Sequence, residues 1–175
     1  MPKKGLLLES LMQVALTEAR TALQNGNFPV GAVVAIDGTI IGQGSNRNEQ
    51  LGTRIQHAEL SLLLQHSRII RSAKKSNSTI TLVTTLEPCL LCVGAAVLSR
   101  VTEIIYACPD PHGGAAQLDP KAINLSGFYE RKWPIISQGP FCSCRESYTL
   151  VMEHMKRTPG WENTIASFEQ MERTW

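Results

Sequence analysis

Hydrophobic positions in the first quarter of the chain follow two different periods. Apolar residues recur at helical spacing over residues 8–23, and Asn25-Gly26 is typical of a helix end. Two apolar segments follow, at residues 30–36 and 39–42, and Asp37-Gly38 between them is a tight-turn signal. The pattern predicts an amphipathic helix followed by a β-hairpin.

The next stretch changes from polar to helical. Residues 44–56 are polar and lack a period, which predicts a loop that ends at His57. Helical spacing then indicates a second helix from about His57 to His66, with a cationic tail over residues 68–75. Cations near a helix C-terminus are favoured by the helix dipole. We therefore prefer a solvated helix end for this tail over a nucleic-acid-binding patch.

The centre of the chain alternates between strand and helix. Residues 79–84 are rich in β-branched side chains and predict a central strand, which leads directly into a helix over 89–99. Residues 103–108 predict the next strand. Strand, helix and strand within about thirty residues are typical of a right-handed βαβ crossover, and the hairpin strand with the second helix gives another unit. We expect a mixed sheet with helices on both faces.

The last third has a weaker pattern. Residues 109–120 form a Pro/Gly-rich segment that we expect to be irregular and available for substrate contact. Ile135-Ile136 suggests a short strand, and residues 144–155 suggest a helix that Pro159-Gly160 ends. A final amphipathic helix is predicted from four apolar positions, which are Trp161, Ile165, Phe168 and Met171.

Composition limits the classes of function. The 175 residues are enough for one domain, so we expect a single domain over 1–175. The formal net charge of +2 is too small to indicate a nucleic-acid partner by itself. No apolar run is long enough to span a membrane, which predicts a soluble, cytoplasmic protein without a membrane partner. An odd number of cysteines, 5 in all, fits a reducing compartment better than a disulfide framework.

Two cysteines and one histidine suggest a metal site. Cys89 and Cys92 follow Pro88 at the start of an apolar run, so both sulfurs can lie on one face of a new helix, one turn apart. A helix N-terminus favours thiolates, and neutral His57 can supply a third ligand. Two thiolates and one imidazole suit zinc and leave the fourth tetrahedral position for water, as in catalytic sites. Glu59 is then free to move protons.

Other interpretations of the cysteines stay open at this point. The Cys89/Cys92 pair could be a redox pair, although its two intervening leucines do not help a disulfide. A structural zinc would need a fourth ligand, which Cys142 or Cys144 could provide. Cys142-Ser143-Cys144 with His154 could form a second metal site, but inert thiols are the simpler expectation. His66 and His112 are expected on a helix surface and in a loop.

The order His57-Ala58-Glu59 followed by Pro88-Cys89-Leu90-Leu91-Cys92 is similar to the motif of zinc deaminases. On these residues the chain resembles the cytidine-deaminase-like superfamily over most of residues 6–125. The resemblance implies an α/β fold, a single domain with three α/β/α layers and a mixed five-stranded sheet, with a C-terminal helical segment over about 140–175. It further implies one Zn²⁺ per chain held by His57, Cys89 and Cys92, Glu59 as the catalytic proton carrier, and a homodimer.

The resemblance extends more weakly to the bacterial tRNA adenosine deaminase branch. It rests on Pro29-Val30-Gly31-Ala32-Val33, Asn46-Arg47, and Asp110 followed by Gly114-Ala115-Ala116. It implies that Asn46 and Asp110 contact the substrate, which would be a nucleobase, a nucleoside or a tRNA anticodon loop.

Three interpretations of the substrate follow. The nearest is conversion of adenosine to inosine in tRNA. A free-base or nucleoside deaminase acting on guanine, cytosine or a related amino-heterocycle is the second, because Thr53-Arg54-Ile55-Gln56 replaces the Asp-Pro-Thr-Ala common in the tRNA branch. In free-base relatives a C-terminal element can cover the active site, which makes Trp161 and Phe168 lid hypotheses. A non-catalytic zinc-scaffold subunit that binds RNA is the third, and the intact Glu59 argues against it.

Overall fold

The computed structural model describes the backbone of residues 2–175 and the side chains of residues 7–140 and 142–175. Within these residues, helices and strands form one domain. In chain order the elements are α1 Pro2–Gln24, β1 Gly31–Ile36, β2 Thr39–Ser45, α2 Asn48–Leu51, α3 Ala58–Gln65, α4 Ser67–Lys75, β3 Ile80–Leu86, α5 Leu90–Ser99, β4 Glu103–Cys108, α6 Gly127–Glu130, β5 Ile135–Gln138, α7 Phe141–Arg157 and α8 Glu162–Glu172.

The five strands form one mixed sheet in the order β2-β1-β3-β4-β5. β1 is antiparallel to both of its neighbours, whereas β3, β4 and β5 pair in parallel. β2, β3, β4 and β5 therefore all end at the same edge of the sheet. The predicted mixed five-stranded sheet is confirmed, although β1 lies between the two strands of the first strand–helix–strand unit.

Helices cover both faces of the sheet and give the three predicted layers. On one face, α1 contributes Met12 and Leu16 to a core with Val33 and Val83. On the other face, α3, α4 and α5 pack on alternate residues of the same strands, as with Leu62 against the sheet. Because helices cover both faces of the sheet, its central strands are buried on both sides. All seven residues of β3 are buried. This strand carries the chain into the sequence around Cys89.

The predicted second helix is interrupted in the structure. Instead of one helix with a cationic tail, α3 ends at Gln65 and α4 begins at Ser67. His66 between them is not a free surface residue, because its imidazole lies against Gly42, where a Cβ would collide with the ring. The break coincides with this tertiary contact, and the local sequence contains no Gly or Pro at this point.

Residues 44–56 are not entirely irregular as predicted, since they contain the single turn α2. The buried Asn27 side chain accepts hydrogen bonds from the backbone N–H groups of Glu49 (3.0 Å) and Gln50 (3.2 Å). These are the unpaired donors of the first turn, so a residue more than twenty positions away acts as the helix cap. The predicted short strand at Ile135-Ile136 and the C-terminal helices are confirmed, with α7 starting earlier than expected.

None of the helices within residues 2–175 combines the length and the apolar character that a membrane span requires. The lid hypothesis is wrong for Phe168, which is only 1% exposed and belongs to the main core cluster.

Candidate metal centre and active-site cavity

Three parallel-running strands deliver the predicted site residues to one edge of the sheet. Asn46 follows β2, Cys89 follows β3 and Asp110 follows β4, each within three residues of the strand end. The N-terminal end of the antiparallel β1 lies at the same edge and brings Phe28 and Val30 there. The expected position beyond the carboxyl ends of the strands is therefore confirmed.

Two helix N-termini hold the three metal-ligand candidates. His57 precedes α3 and Cys89 precedes α5, both with extended backbone, and Cys92 lies in the first turn of α5. The carbonyl groups of His57 and Cys89 accept the first helical hydrogen bonds, from Ser61 and Val93, each at 3.0 Å. The side chains are thereby fixed in front of two helix ends, where backbone N–H groups favour thiolates.

The three ligand atoms have the spacing of a tetrahedral zinc site. His57 Nδ1 lies 3.5 Å from Cys89 Sγ and 3.4 Å from Cys92 Sγ, and the two sulfurs are 3.8 Å apart. With zinc bonds of ~2.3 Å to sulfur and ~2.0 Å to nitrogen at tetrahedral angles, a sulfur and a nitrogen ligand lie about 3.6 Å apart, and two sulfur ligands lie about 3.8 Å apart. The side chains present therefore fit zinc, and three protein ligands leave one position of the tetrahedron open.

Ionisation of the cysteines suits a metal as well. The hydrogen bond between the two sulfurs and the neighbouring His57 hold the pKa of Cys89 at about 4, so this residue is a thiolate at neutral pH. The same contact and burial raise the pKa of Cys92. One negative charge is thus shared by two adjacent thiols, and a divalent cation would release the second proton.

Glu59 lies beside these ligands in the first turn of α3. Its carboxylate is 3% exposed, and Oε1 accepts a hydrogen bond from the Thr84 hydroxyl at 3.1 Å. Burial raises the pKa of Glu59 from its ordinary value, while its backbone N–H and His57 act in the opposite direction. A carboxyl group whose pKa is raised toward neutrality can both accept and return a proton.

One cavity of about 580 Å³ joins these groups. His57, Cys89 and Glu59 line it, and so do the two predicted substrate contacts, Asn46 and Asp110. The Asn46 side-chain oxygen accepts the backbone N–H of Asn48 at 2.9 Å, and its amide nitrogen has no protein partner among the described contacts. Asn46 therefore keeps a donor for a ligand.

The Asp110 side chain also makes hydrogen bonds within its own loop. Its Oδ1 accepts the backbone N–H groups of His112 (2.9 Å) and Gly113 (3.1 Å), which folds the chain back at this point. His112 is exposed, in a loop as expected, and lines the cavity. The contact assigned to Asp110 remains a prediction, because much of its hydrogen-bonding capacity shapes the loop.

Sequence reasoning gave no role to Glu87, which shapes the same loop. The carboxylate is 8% exposed and accepts two backbone N–H groups, from Asp110 (3.0 Å) and from Ala116 (2.8 Å). A buried carboxylate needs such partners. The signal in the sequence is a charged residue placed between a strand rich in β-branched residues and Pro88-Cys89, where burial is expected.

Aromatic side chains form the wall of the cavity that faces the C-terminal segment. Phe28 and Trp161 stack with ring centroids 5.2 Å apart and an interplanar angle of 26°. His154 meets the edge of Phe28 at 5.4 Å. Trp161 thus lines the cavity, at a position compatible with the lid hypothesis. Phe28 and His154 were not predicted as part of this wall.

The alternative cysteine sites do not form among the described residues. The only cluster of three or more potential ligands found there is His57, Cys89 and Cys92. Cys142 is exposed and Cys144 is buried in the main core, so neither completes a structural zinc site. All 5 cysteines are free thiols.

The family model described as "cytidine and deoxycytidylate deaminase zinc-binding region" matches residues 7–108, which include all three ligands and Glu59. The chain belongs to this family of zinc-dependent deaminases.

Among curated relatives, a tRNA-specific adenosine deaminase of Bacillus subtilis is 37% identical over 108 residues. The match covers 62% of this chain and 66% of that relative, so it spans about two thirds of the relative's length.

Solved structures show the same likeness. One, from work on adenosine-to-inosine editing by deaminases at the wobble position of transfer RNA, superposes with a TM-score of 0.63 and 28% identity, covering 81% of this chain and 99% of that chain. A guanine deaminase from Nitrosomonas europaea gives a TM-score of 0.54 over 82% of this chain and 84% of that chain, and at 19% identity it bears on the fold alone.

Proposed function

We propose that this protein is a hydrolytic deaminase that replaces an exocyclic amino group of a nucleobase by a keto oxygen and releases ammonia. The observation that carries the proposal is the tetrahedral spacing of His57, Cys89 and Cys92, beside a cavity that His57, Cys89 and the buried Glu59 line. His57, Cys89 and Cys92 would hold zinc, which when bound acts as a Lewis acid and lowers the pKa of water toward about 7.

Glu59 carries the protons. It accepts one proton from the attacking water and delivers it to the ring nitrogen next to the amino-bearing carbon. It then transfers the proton of the added hydroxyl group to the amine, which leaves as ammonia. The water oxygen becomes the keto oxygen. The Thr84 hydroxyl fixes the carboxylate during these transfers, and Asn46 donates from its free amide to the bound base.

Replacement of Glu59 by Gln tests this role. The amide keeps the size of the side chain but cannot accept the proton, so ammonia release should fall by about 10²- to 10⁴-fold. Zinc content, measured by atomic emission, should stay at one ion per chain. A Glu59→Gln protein that deaminates at the parental rate would remove Glu59 from the mechanism.

Adenosine in tRNA is the substrate that the named relatives favour, through their 37% and 28% identity to this chain. The aromatic wall favours a second candidate, a free base or nucleoside. Phe28, His154 and Trp161 close one side of the cavity with the C-terminal segment, which suits a small planar ligand. The zinc-loaded protein should be assayed for ammonia release from a tRNA anticodon hairpin, adenosine, guanine and cytosine. Release from the hairpin alone supports RNA editing, and release from a small compound supports the second candidate.

We further propose that the chain forms a homodimer. α3 and α5 pack together, and their Leu64, Leu90 and Leu98 side chains are each more than 60% exposed. Exposed apolar surface of this kind marks interaction sites. Sedimentation should show a dimer that Leu90→Glu dissociates, whereas Ile135→Glu on the edge strand β5 should leave it intact. A monomeric parent protein would contradict the proposal.

We place the protein in the cytoplasm, where its free thiols would stay reduced. Fractionation of cells that express a tagged chain tests this, and recovery outside the cytoplasmic fraction would refute it.

A further inference from the structure

His154 is a buried imidazole that the deamination chemistry does not use. It lies on α7, is 8% exposed, and lines the same cavity as the metal ligands. Among the described contacts, no protein atom makes a hydrogen bond with either of its ring nitrogens, and the groups that act on its charge include no hydrogen-bond partner. Buried polar groups in proteins are almost always paired, so the ring nitrogens of an imidazole that opens toward a cavity are available to a ligand that fills it.

Two aromatic side chains fix the orientation of this ring. Phe28 packs edge-to-face with His154 at 5.4 Å and 83°, and Trp161 does so at 6.3 Å and 72°. Because Phe28 and Trp161 also stack on one another, the three rings form one block that restricts rotation of the imidazole. The free nitrogen is therefore presented in a constant direction.

The imidazole in this position is neutral near pH 7. Burial lowers the pKa of His154 from its ordinary value, and the carboxylate of Glu49 on the cavity rim opposes this only in part. A neutral imidazole offers one N–H donor and one acceptor nitrogen. The edge of an amino-heterocycle offers the complementary groups, since ring nitrogens accept and ring N–H or amino groups donate.

We propose that His154 is a specificity-determining residue that hydrogen-bonds the edge of the bound heterocycle, while Phe28 and Trp161 supply the apolar wall beside the ring. This inference rests on the proposed deaminase function, because the ligand is the base that is deaminated. It assigns to the C-terminal segment a direct contact with the substrate in addition to covering the cavity.

A pair of variants separates hydrogen bonding from packing. His154→Phe keeps an aromatic ring between Phe28 and Trp161 but has no nitrogen, whereas His154→Gln keeps a donor and an acceptor but loses the ring. Both are made in the zinc-loaded Glu59→Gln protein, so that bound bases are not consumed. Calorimetric titration with adenine, guanine, cytosine and adenosine then measures affinity without turnover, and melting temperatures report whether each variant is folded.

The probe that binds the parent should bind about tenfold more weakly to His154→Phe, because a buried hydrogen bond is lost. His154→Gln should stay within about threefold of the parent. If His154→Phe binds as the parent does, or if only His154→Gln is impaired, the residue acts by packing and the inference is overturned. Failure of all four compounds to bind also overturns it, while deamination of an RNA hairpin by the unmutated protein would still leave the proposed function in place.

A second measurement needs no substitution. The chain has 4 histidines, so ¹⁵N-histidine spectra of the Glu59→Gln protein can follow each ring during the same titration. The His154 nitrogens should shift on addition of the base that binds by calorimetry, and the His66 ring, which lies against Gly42, should not. Unchanged His154 signals in the presence of bound ligand contradict the proposal.

Discussion

At the residue scale, the position of Glu59 depends on a side chain from another element. Thr84 is fully buried on β3, and its hydroxyl donates to the Glu59 carboxylate at 3.1 Å. The proposed proton carrier on α3 is thus tied to the central strand that leads to Cys89. A hydrogen bond to a charged group contributes more than one between neutral groups, so this contact should matter for turnover.

Replacement of Thr84 by Val should lower kcat/KM by about tenfold or more, because the isosteric side chain removes the donor without opening a cavity. Zinc content should not change. Thr84→Ser, which keeps the hydroxyl, is the matched control and should retain most of the activity. Equal losses in both variants would show that the methyl group, and not the hydrogen bond, positions Glu59.

His154 also makes stability depend on pH. Its pKa is lowered in the folded protein from 6.5, so below that pH the unfolded chain binds more protons than the folded one. The contribution of His154 to stability is therefore present above pH 6.5 and is lost as pH falls through the folded-state pKa. Urea unfolding between pH 7.5 and pH 5 should show this decrease, and His154→Phe should flatten it. A variant with the same slope as the parent would exclude His154 as its source.

At the scale of elements, the loop after β4 is held against the metal ligands by tight packing. Gly114 pairs with Cys89 in an isolated β-bridge, and the Ala115 N–H donates to the Pro88 carbonyl at 3.0 Å. A Cβ on Gly114 would collide with the Glu87 carboxyl group and lie 2.6 Å from the Asp110 carbonyl oxygen. Only glycine allows the loop to approach so closely.

Gly114→Ala should therefore destabilise the protein by about 1–3 kcal/mol and weaken zinc binding, since the loop and the Cys89 backbone must separate. Thermal denaturation and competition with a chromophoric zinc chelator measure the two effects. Gly94→Ala on α5 is the control. Its Cβ would meet nothing within 4 Å in the single chain, so in dilute, monomeric samples it should stabilise the helix by about 0.5–1 kcal/mol. A stable Gly114→Ala protein with parental zinc affinity would contradict this account of the loop.

The limits of sequence-based prediction are visible in the same elements. Local signals were sufficient for the strand that leads into Cys89 and for the metal ligands, because periodicity and ligand spacing are encoded by nearby residues. The Asn27 side chain caps α2. The break between α3 and α4 lies where His66 packs on Gly42. The Glu87 carboxylate accepts hydrogen bonds from the loop after β4. These features depend on contacts between elements that are distant in sequence, so they cannot be predicted from the local sequence of one segment.

At the scale of the whole molecule, the metal links two helices without being required for the core. The ligands His57 and Cys89 are 32 residues apart and belong to the starts of α3 and α5. None of the three ligand candidates belongs to the apolar clusters on the two faces of the sheet. A ligand that binds only the folded state stabilises it by mass action.

Removal of zinc with a chelator should therefore lower Tm by about 5–10 °C, while far-UV circular dichroism at 25 °C stays unchanged. Re-addition of zinc should restore the original Tm. Calcium, which prefers oxygen ligands, is the control and should have no effect. Global unfolding on chelation would instead identify the ion as part of the folding core.

The shared edge of the sheet has a consequence for protein engineering. The metal-ligand candidates and Glu59 lie at the starts of α3 and α5, whereas part of the remaining cavity wall comes from three loop segments, residues 53–54, 110–112 and 159–161. None of these segments supplies a metal ligand, but the Arg54 carbonyl contacts His57 Nε2 at 3.1 Å and the Asp110 N–H donates to Glu87 at 3.0 Å, so their exposed side chains can be varied while their backbone is kept. Libraries restricted to them should yield enzymes that accept different amino-heterocycles with one unaltered catalytic centre.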